Sequence, residues 1–449
     1  MDFNGKKILV CGMAKSGISA AMLVNSSGAE VTLQDIKKKE DMGDIAYIEN
    51  AGIKIYDGKN PDEIIADMDL VVVSPGIPTS LNFFDVAKRA GVRIISEVEL
   101  SYLVTPCPIV AITGTNGKTT TTALTGEIMK KKYPNIAVVG NIGVPYSGEV
   151  QRLTAKDYVV AEISSFQMET AYDFHPHISA VLNITPDHLD RHKTVENYMH
   201  MKEKVFANQT AKDFVVLNYD DEATRKMGEK TDAKTFFFSS ANTINEGIYL
   251  KEDDIIVKWG AFDGKVISVN DLKILGVHNY ENVMASVAIS LCAGIDMEDI
   301  VSTLKEFAGV EHRIEFVKTV DGVDYYNDSK GTNVDAAIRG IMAMKKPCLL
   351  IGGGYDKGSE YDDWVKNFEG RVKHLVLIGK TADKIEECCK KYEFNKISRC
   401  ETFDEAVRLC KTLAQEGDCV LLSPACASWD MFKSYEQRGM IFKDIVRAF

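Results

Sequence analysis

The stretch PIVAITGTNGKTTTT, residues 108–122, constrains the fold of this chain more than any other. Its apolar run at 109–112 predicts a buried strand of a parallel sheet, and residues 119–130 predict a helix. Between them, Gly114 and Gly117 permit a tight turn whose backbone N–H groups point inward. The positive end of the following helix would face whatever the turn encloses, which favours an anion.

The residues after the turn supply charge and a hydroxyl. Lys118 offers a point charge, and Thr119 or Thr120 offers a hydroxyl that can bind Mg²⁺. The spacing departs from the usual phosphate-loop pattern, because Ile112 stands where the first glycine would be. A plain glycine-rich turn is the alternative, but the strand before it and the helix after it favour a nucleotide phosphate site.

Length, charge and cysteine content narrow the class of protein. A chain of 449 residues predicts two or three domains, and a net charge of −12 argues against a nucleic-acid or membrane-surface partner. The ten cysteines are scattered, which favours reduced thiols. We find no signal-peptide pattern and no run of about 18 apolar residues, so we expect a cytoplasmic protein that does not span a membrane.

The N-terminal residues predict a Rossmann-like βαβ unit. A strand over 6–10 enters the glycine-containing turn at 12–17, a helix follows, and a second strand over 30–34 ends at Asp35. A dinucleotide cofactor is one reading, but Ala14 replaces the glycine that lets backbone approach a pyrophosphate. Another phosphate-bearing ligand, or a tight turn with no ligand, remains open.

Polar side chains follow several later strands. In the first predicted domain, a strand over 70–74 leads into a turn at Gly76, where ligands sit in open α/β sheets. In the second, a strand ends in Glu162, which can be a Mg²⁺ ligand or an exposed strand-end acid. His188 follows the next strand and can bind metal or substrate, although a lone histidine is more often structural. Lys202 lies in a predicted helix over 195–207, where the default interpretation is a surface lysine paired with Lys204.

The remaining chain completes an α/β fold. Residues 230–273 predict a β-rich segment, and Asn279 and Asn282 precede a helix over 283–293. These two amides can face one ligand, or Asn279 can be a helix N-cap. Strands alternating with helices after residue 309 predict a second doubly wound fold. We therefore expect three domains: a Rossmann-like domain over 1–104, a central phosphate-loop domain with a mostly parallel sheet over 105–308, and a C-terminal Rossmann-like domain over 309–449.

Seven segments in this order resemble the Mur ligase family: GTNGKTT, AEISSFQ, NITPDHLDRH, HNYENV, EHRIE, NDSKGTN and SPACASWDMFKSYEQRG. The resemblance spans nearly the whole chain. NDSKGTN and the last segment are similar to the branch that adds D-glutamate, with Gly331 where that branch often has alanine. The resemblance implies an ATP-dependent amide ligase of peptidoglycan precursor synthesis, and a monomer. Its substrates would be UDP-N-acetylmuramoyl-L-alanine and D-glutamate, joined through an acyl phosphate and a tetrahedral intermediate.

The resemblance also implies roles for individual residues in ATP and metal binding. Lys118, Glu162, His188 and a carbamylated Lys202 would be catalytic. Glu162 would share one Mg²⁺ with Thr119, while His188 would hold a second and the Lys202 carbamate would act as a metal ligand. The ATP-binding set would be Gly114, Thr115, Asn116, Gly117, Lys118, Thr119, Thr120, Asn279, Asn282, Arg313 and Asp328.

Substrate contacts follow from the same resemblance. The residues facing uridine diphosphate would be Ala14, Lys15, Ser16, Asp35 and Lys37, with Gly76 in a neighbouring turn. Asn141 and Ser164 would lie near the sugar and peptide stem. The D-glutamate pocket would consist of Lys330, Thr332, Lys357, Ser428 and Tyr435, and its two lysines suit a dicarboxylate.

Three other functions stay open from the sequence. A folylpolyglutamate synthetase has the same general fold, but the Rossmann-like first domain and NDSKGTN disfavour it. A nucleotide-sensing protein without turnover would not need the second metal that His188 and Lys202 imply. An NAD-dependent dehydrogenase rests on the first domain alone.

Overall fold

A computed structural model describes residues 2–42, 45–141 and 143–449, which form three β-sheets with flanking helices. The three-domain α/β fold is thereby confirmed. By their internal contacts the residues divide into two compact units. The first comprises Met1–Ser268 and Glu281–Leu304 and contains the first two sheets, and the second comprises Val269–Tyr280 and Lys305–Phe449 and contains the third.

The first sheet has the strand order 3-2-1-4-5 of a Rossmann fold, with every described strand parallel to its neighbours. A side chain at Gly12 is excluded after the first strand, because φ is +101° and a Cβ there would lie 2.7 Å from the Ser74 Oγ. The elements are β1 Lys7–Cys11, α1 Lys15–Ser26, β2 Glu30–Asp35, α2 Ala46–Asn50, β3 Lys54–Asp57, β4 Leu70–Val73, α3 Asn82–Arg89, β5 Arg93–Ser96 and α4 Glu97–Val104.

The second sheet, within the described ranges, has nine strands in the order 14-13-12-11-10-9-6-8-7. Its strands are β6 Ile109–Thr113, β7 Ile136–Gly140, β8 Tyr158–Glu162, β9 Ile178–Val181, β10 Phe214–Asn218, β11 Lys234–Ser239, β12 Gly247–Lys251, β13 Asp254–Trp259 and β14 Phe262–Ser268. Pairing is parallel from β7 to β12 and antiparallel from β12 to β14. The pairing of β13 with β14 is irregular, since the register shifts where Ile255 pairs with Ile267 and Ile256 with Lys265.

Six helices accompany this part of the described chain: α5 Lys118–Met129, α6 Leu189–His192, α7 Val195–Glu203, α8 Glu222–Met227, α9 Val277–Cys292 and α10 Met297–Glu306. The predicted helix over 195–207 ends at Glu203 and continues as a short 3₁₀ turn. The helix predicted over 283–293 begins earlier, at Val277. Val98 of α4 packs in the same hydrophobic cluster as Ala111 of β6 and Ala161 of β8, so the first two sheets share a core.

The third sheet has six described strands in the order 15-16-20-17-18-19. All are parallel except the antiparallel pair of β15 and β16, and apolar clusters cover both faces. The elements are β15 Glu315–Val320, β16 Val323–Asn327, α11 Val334–Ala343, β17 Cys348–Gly352, α12 Asp362–Lys366, β18 Val372–Leu377, α13 Ala382–Lys391, β19 Ile397–Arg399, α14 Phe403–Leu413, β20 Cys419–Leu422 and α15 Tyr435–Arg447. No helix in the described residues has both the length and the apolar character needed to cross a bilayer.

Candidate active site

The predicted phosphate loop lies between β6 and α5, as the sequence indicated. Gly117 precedes the helix with φ +87°, and a Cβ there would lie 2.2 Å from the Asn282 Oδ1. Asn183, two residues after β9, fixes the loop from the other side. Its side-chain oxygen accepts from the Asn116 N–H at 2.8 Å, and its amide nitrogen donates to the Asn116 carbonyl at 3.1 Å. The sequence analysis missed Asn183, because an asparagine after a strand carries no distinguishing signal.

Two lysines converge on one carbonyl of this loop. The Lys118 Nζ donates to the Gly114 oxygen at 2.9 Å, and the Lys202 Nζ donates to the same oxygen at 2.8 Å. Lys202 is only 2% exposed. Burial, and then the nearby charge of Lys118, lower the pKa of Lys202 well below its usual value. The surface-pair reading of Lys202 is therefore wrong, since helix α7 aims this side chain into the protein beneath the loop.

Glu162 and His188 differ in how they are held. Glu162 ends β8 and is 2% exposed, and one carboxylate oxygen accepts from the Asn141 Nδ2 at 3.2 Å. The reading of Glu162 as an exposed strand-end acid is therefore wrong. His188 has a left-handed backbone with φ +52°, and its half-exposed ring lies 4.8 Å from the Phe166 ring between centroids.

The Thr-rich helix and the two asparagines of α9 have separate environments. The Thr121 hydroxyl donates to the Asn282 Oδ1 at 3.3 Å, and both residues are buried. Asn279 lies inside the first turn of α9, where its side chain donates to the Leu275 carbonyl at 2.7 Å. The N-cap reading of Asn279 is therefore wrong. That both asparagines face one ligand stays a prediction, as do the roles of Thr119 and Thr120.

A cavity of about 490 Å³ gathers five of the predicted substrate residues. It lies where the turns after β1, β4 and β7 meet. Its lining includes Ala14, Lys15, Ser16, Gly76 and Asn141. Cavities of this size and position, at the carboxyl ends of parallel strands, are typical ligand sites of α/β folds.

Asp35 and Lys37 are not in the cavity lining. One Asp35 oxygen accepts from the Met13 N–H at 2.9 Å, and the other accepts from the Lys37 N–H at 3.0 Å. Asp35 therefore orders the loop immediately before Ala14.

Two residues with polar side chains that the sequence analysis did not select also line this cavity. Glu97 accepts a hydrogen bond from the Ser147 N–H at 2.6 Å, and burial raises its pKa. Gln167 accepts from the Ser164 N–H at 2.8 Å and from the Ser164 hydroxyl at 3.0 Å, so it orients that predicted residue. Glu97 was missed because nothing in its local sequence distinguished it from an ordinary acidic residue.

In the third sheet, the loops after β16, β17 and β20 leave neighbouring parallel strands at the same edge. Asp328 follows β16 and is 4% exposed, and its Oδ2 accepts from the Ser423 hydroxyl at 2.7 Å. Burial raises the pKa of Asp328 to about 7, against the opposing effects of the Ser423 hydrogen bond and the Arg313 charge. Lys330 and Thr332 lie in the loop before α11, and the Lys330 ammonium is 5.8 Å from the centroid of the Tyr435 ring.

The loop after β17 carries Lys357, whose ammonium lies 4.8 Å from the centroid of the Trp429 ring. Trp429 is 62% exposed, although the adjacent Ser428 is only 2% exposed. An exposed indole beneath a lysine is a cation–π contact that orients the lysine.

One other cluster has the composition of a metal site. Oxygen and nitrogen atoms of Glu311, His312 and Glu315 lie within 4.8 Å of one another. The Lys443 ammonium is 2.5 Å from Glu311 and 2.7 Å from Glu315, so both carboxylates already have a cationic partner. This cluster is therefore an ion-pair network rather than a candidate metal centre.

Family models match three successive parts of the chain. The description "Mur ligase MurD-like, N-terminal domain" covers residues 6–96, "Mur ligase middle domain" covers 112–290, and "Mur ligase, glutamate ligase domain" covers 312–426.

Curated relatives are similar over the whole length. Proteins named UDP-N-acetylmuramoylalanine–D-glutamate ligase from Lachnoclostridium phytofermentans and Clostridioides difficile are 48% and 45% identical, respectively. These matches cover 100% and 99% of this chain, and 99% of each relative. Among solved structures, UDP-N-acetylmuramate-alanine ligase from Thermotoga maritima has a TM-score of 0.60 at 20% identity and 99% coverage of both chains. MurF from Acinetobacter baumannii has a TM-score of 0.62 at 15% identity, covering 99% of this chain and 94% of its own. These structures share the fold.

Proposed function

The chain belongs to the Mur ligase family, and on that premise we propose that it joins D-glutamate to UDP-N-acetylmuramoyl-L-alanine at the expense of ATP, in peptidoglycan precursor synthesis. One observation carries the proposal at the level of geometry. Lys118 and the buried Lys202 both reach the Gly114 carbonyl of the phosphate loop. The Lys118 charge at the loop, with a lysine beside it that can become a metal-binding carbamate, suits a reaction in which a phosphate and a carboxylate must be brought together.

ATP would bind with its phosphates in the loop of residues 114–117. The donors fit: the backbone turns at two glycines, the helix N-terminus follows, and Lys118 lies within reach of the loop. Lys118 would then exchange its carbonyl partners for phosphate oxygens. We propose Thr115, Asn116, Thr119 and Thr120 as further phosphate contacts. We propose Asn279, Asn282, Arg313 and Asp328 as adenosine and phosphate contacts, with Arg313 touching the γ-phosphate.

Magnesium would be held by Thr119 and Glu162 at one site and by His188 at another. Hydroxyl and carboxylate oxygens are ligands that Mg²⁺ prefers, and Glu162 is buried close to the loop in the sheet, since its neighbour on β6 is Ile112. Bound there, the metal ions would neutralise phosphate and carboxylate charge.

Lys202 would act as a carbamate. A lowered pKa favours the neutral amine, which can attack CO₂ and release a proton, forming an N-carboxylate. That change places an anion beside the Lys118 cation, which supports the assignment electrostatically.

The nucleotide-sugar would occupy the 490 Å³ cavity, with Ala14, Lys15, Ser16 and Gly76 near the diphosphate. Asp35 and Lys37 would contact the uridine from its edge, and Asn141 and Ser164 the sugar and peptide stem. D-glutamate would be bound by the loops of the third sheet, through Lys330, Thr332, Lys357, Ser428 and Tyr435. Two lysines match its two carboxylates. In the reaction, the alanine carboxylate would be phosphorylated by ATP, and the amine of D-glutamate would displace phosphate.

Four further properties belong to the same proposal. We propose domain bounds of 1–104, 105–308 and 309–449, which the three family-model ranges support. We propose a cytoplasmic location, a monomeric state, and no membrane or nucleic-acid partner. The net charge of −12 supports the last of these.

Phosphate release tests the function directly. Purified chain with ATP, Mg²⁺ and UDP-N-acetylmuramoyl-L-alanine should release phosphate when D-glutamate is added, but not with L-glutamate or L-lysine. Release that requires L-lysine would reject the proposed amino-acid specificity. Reduction of NAD, or binding of ATP without any turnover, would favour the dehydrogenase or the nucleotide-sensing alternative.

Matched lysine variants assign the turnover to the proposed site. Lys118→Met should abolish phosphate release, because the charge facing the phosphates is lost. Lys130→Met, at the other end of α5 on the surface, is the control and should retain the wild-type rate. Equal activity of the two variants would exclude the loop as the ATP site.

A further inference from the structure

Arg191 lies in the short helix α6, three residues after His188, yet its side chain contacts the first domain. Its Nη1 donates to the Pro75 carbonyl at 2.8 Å, and its Nη2 donates to the Ile77 carbonyl at 3.0 Å. These two carbonyls flank Gly76, which lines the 490 Å³ cavity. Arg191 therefore connects the segment that carries His188 to the turn that forms one wall of the cavity.

The same guanidinium is held by a carboxylate. The Arg191 Nε donates to one Glu169 oxygen at 2.7 Å, and Nη2 donates to the other at 2.8 Å. The Thr79 hydroxyl also donates to Glu169, at 2.8 Å. A two-pronged pair of this kind fixes orientation as well as distance, and a lysine ammonium cannot reproduce it.

Burial and an aromatic contact restrict Arg191 further. Its side chain is 15% exposed and that of Glu169 is 12% exposed, so solvent screens the pair only weakly. The guanidinium carbon lies 4.4 Å from the centroid of the Phe166 ring, and the His188 ring packs on the same phenylalanine. One aromatic ring thus contacts both the predicted metal ligand and the arginine that reaches the cavity wall.

We propose that Arg191 is a positioning residue that sets the cavity wall at Gly76 relative to His188. It does so through Glu169 and the two carbonyls, without contacting substrate itself. The inference rests on the proposed function, because it requires that the nucleotide-sugar occupies this cavity. A nucleotide-sugar bound against a correctly placed wall presents its carboxylate at the His188 segment, whereas a displaced wall weakens binding of that substrate alone.

Binding measurements with Arg191→Lys test this role. Calorimetry with UDP-N-acetylmuramoyl-L-alanine should give a Kd about tenfold higher than wild type, because the two-pronged pairing is lost. The KM for this substrate should rise equally, while the KM for ATP stays within about twofold. Arg225→Lys is the matched control, since Arg225 also donates to a backbone carbonyl, that of Tyr219, and packs on the Tyr219 ring. It should bind the nucleotide-sugar as wild type does.

A second variant decides the case if Arg191→Lys is too unstable to measure. Thr79→Val removes only the hydroxyl bond to Glu169 and should raise the same Kd about twofold to threefold. An unchanged Kd in the measurable variant, or an equal loss of ATP affinity, would overturn the inference. If the wild-type chain turns over the nucleotide-sugar and the variant binds it as tightly as wild type does, the positioning role alone is rejected. Wild-type chain that does not bind the nucleotide-sugar would reject the proposed function, and the inference with it.

Discussion

Asp328 gives the most direct test of the electrostatics of the third sheet. The carboxyl group is buried after β16, and it accepts hydrogen bonds from the Ser423 hydroxyl at 2.7 Å and the Ile314 N–H at 3.3 Å. These bonds are too few to offset burial, so the pKa of Asp328 rises from its ordinary value of 3.8 to about 7. Asp328→Asn replaces the carboxyl group with a neutral group of the same shape.

The magnitude follows from the size of that shift. Between pH 3.8 and pH 7 the folded chain keeps the Asp328 proton that the unfolded chain has lost. Stability therefore falls as the pH rises through this window, by about 1.4 kcal/mol per pH unit and about 4 kcal/mol in all. Between pH 5 and pH 8 the wild type should lose about 3 kcal/mol from this group, whereas the asparagine variant should lose none of it.

Urea unfolding at pH 5, 6, 7 and 8, followed by tryptophan fluorescence, measures the difference. Any fixed cost of the asparagine cancels when the two proteins are compared across pH, so the change in their stability difference is the quantity of interest. It should move by about 3 kcal/mol in favour of the variant at high pH. Asp363→Asn, where the side chain is 76% exposed, is the control and should not change the pH dependence. A stability difference for Asp328→Asn that stays constant within about 1 kcal/mol would refute the reasoning.

Two further predictions concern the lysines. Lys202→Ala should reduce phosphate release at least about a hundredfold, and added acetate or bicarbonate should restore part of it. Rate measurements with and without acetate test this, with Lys204→Ala as the control. Full activity of Lys202→Ala would remove the carbamate role. Lys357→Met should raise the KM for D-glutamate about tenfold without changing the KM for ATP, and D-glutamate should change the emission of Trp429 in the wild type but not in this variant; an unchanged KM would place the D-glutamate carboxylates elsewhere.

The sequence predicted the fold well, because apolar runs and glycine turns are local signals. The strands β1 and β6 appear where their apolar residues indicated, and the first sheet has the strand order of the Rossmann-like unit predicted from its βαβ opening. Element ends were less accurate. Helix α9 begins at Val277, six residues before the predicted start, because the polar residues Asn279 and Asn282 interrupt the apolar pattern of its first turns.

The candidate site was predictable only in part. Gly114, Gly117 and Lys118 could be read from their spacing, since a turn between a strand and a helix has a definite sequence pattern. The burial of Lys202 could not, because a lysine in an amphipathic helix usually faces solvent and only the three-dimensional packing turns this one inward. Arg191 and Glu97 were missed for a related reason. Their partners are distant in sequence, and hydrogen-bond pairing across domains leaves no periodic signal.

The strand β14, at one edge of the second sheet, affects how readily copies of this chain aggregate at high concentration. At the irregular pairing with β13, Val266 has no opposite residue, and the exposed Asp263 and Lys265 lie just before it. An edge strand with a bulge and charged side chains is a poor template for pairing with a second copy. Its backbone N–H and C=O groups are not in regular register, and its charged side chains would have to lose their hydration. The antiparallel extension thus ends the large sheet with a margin that resists fibre-like growth.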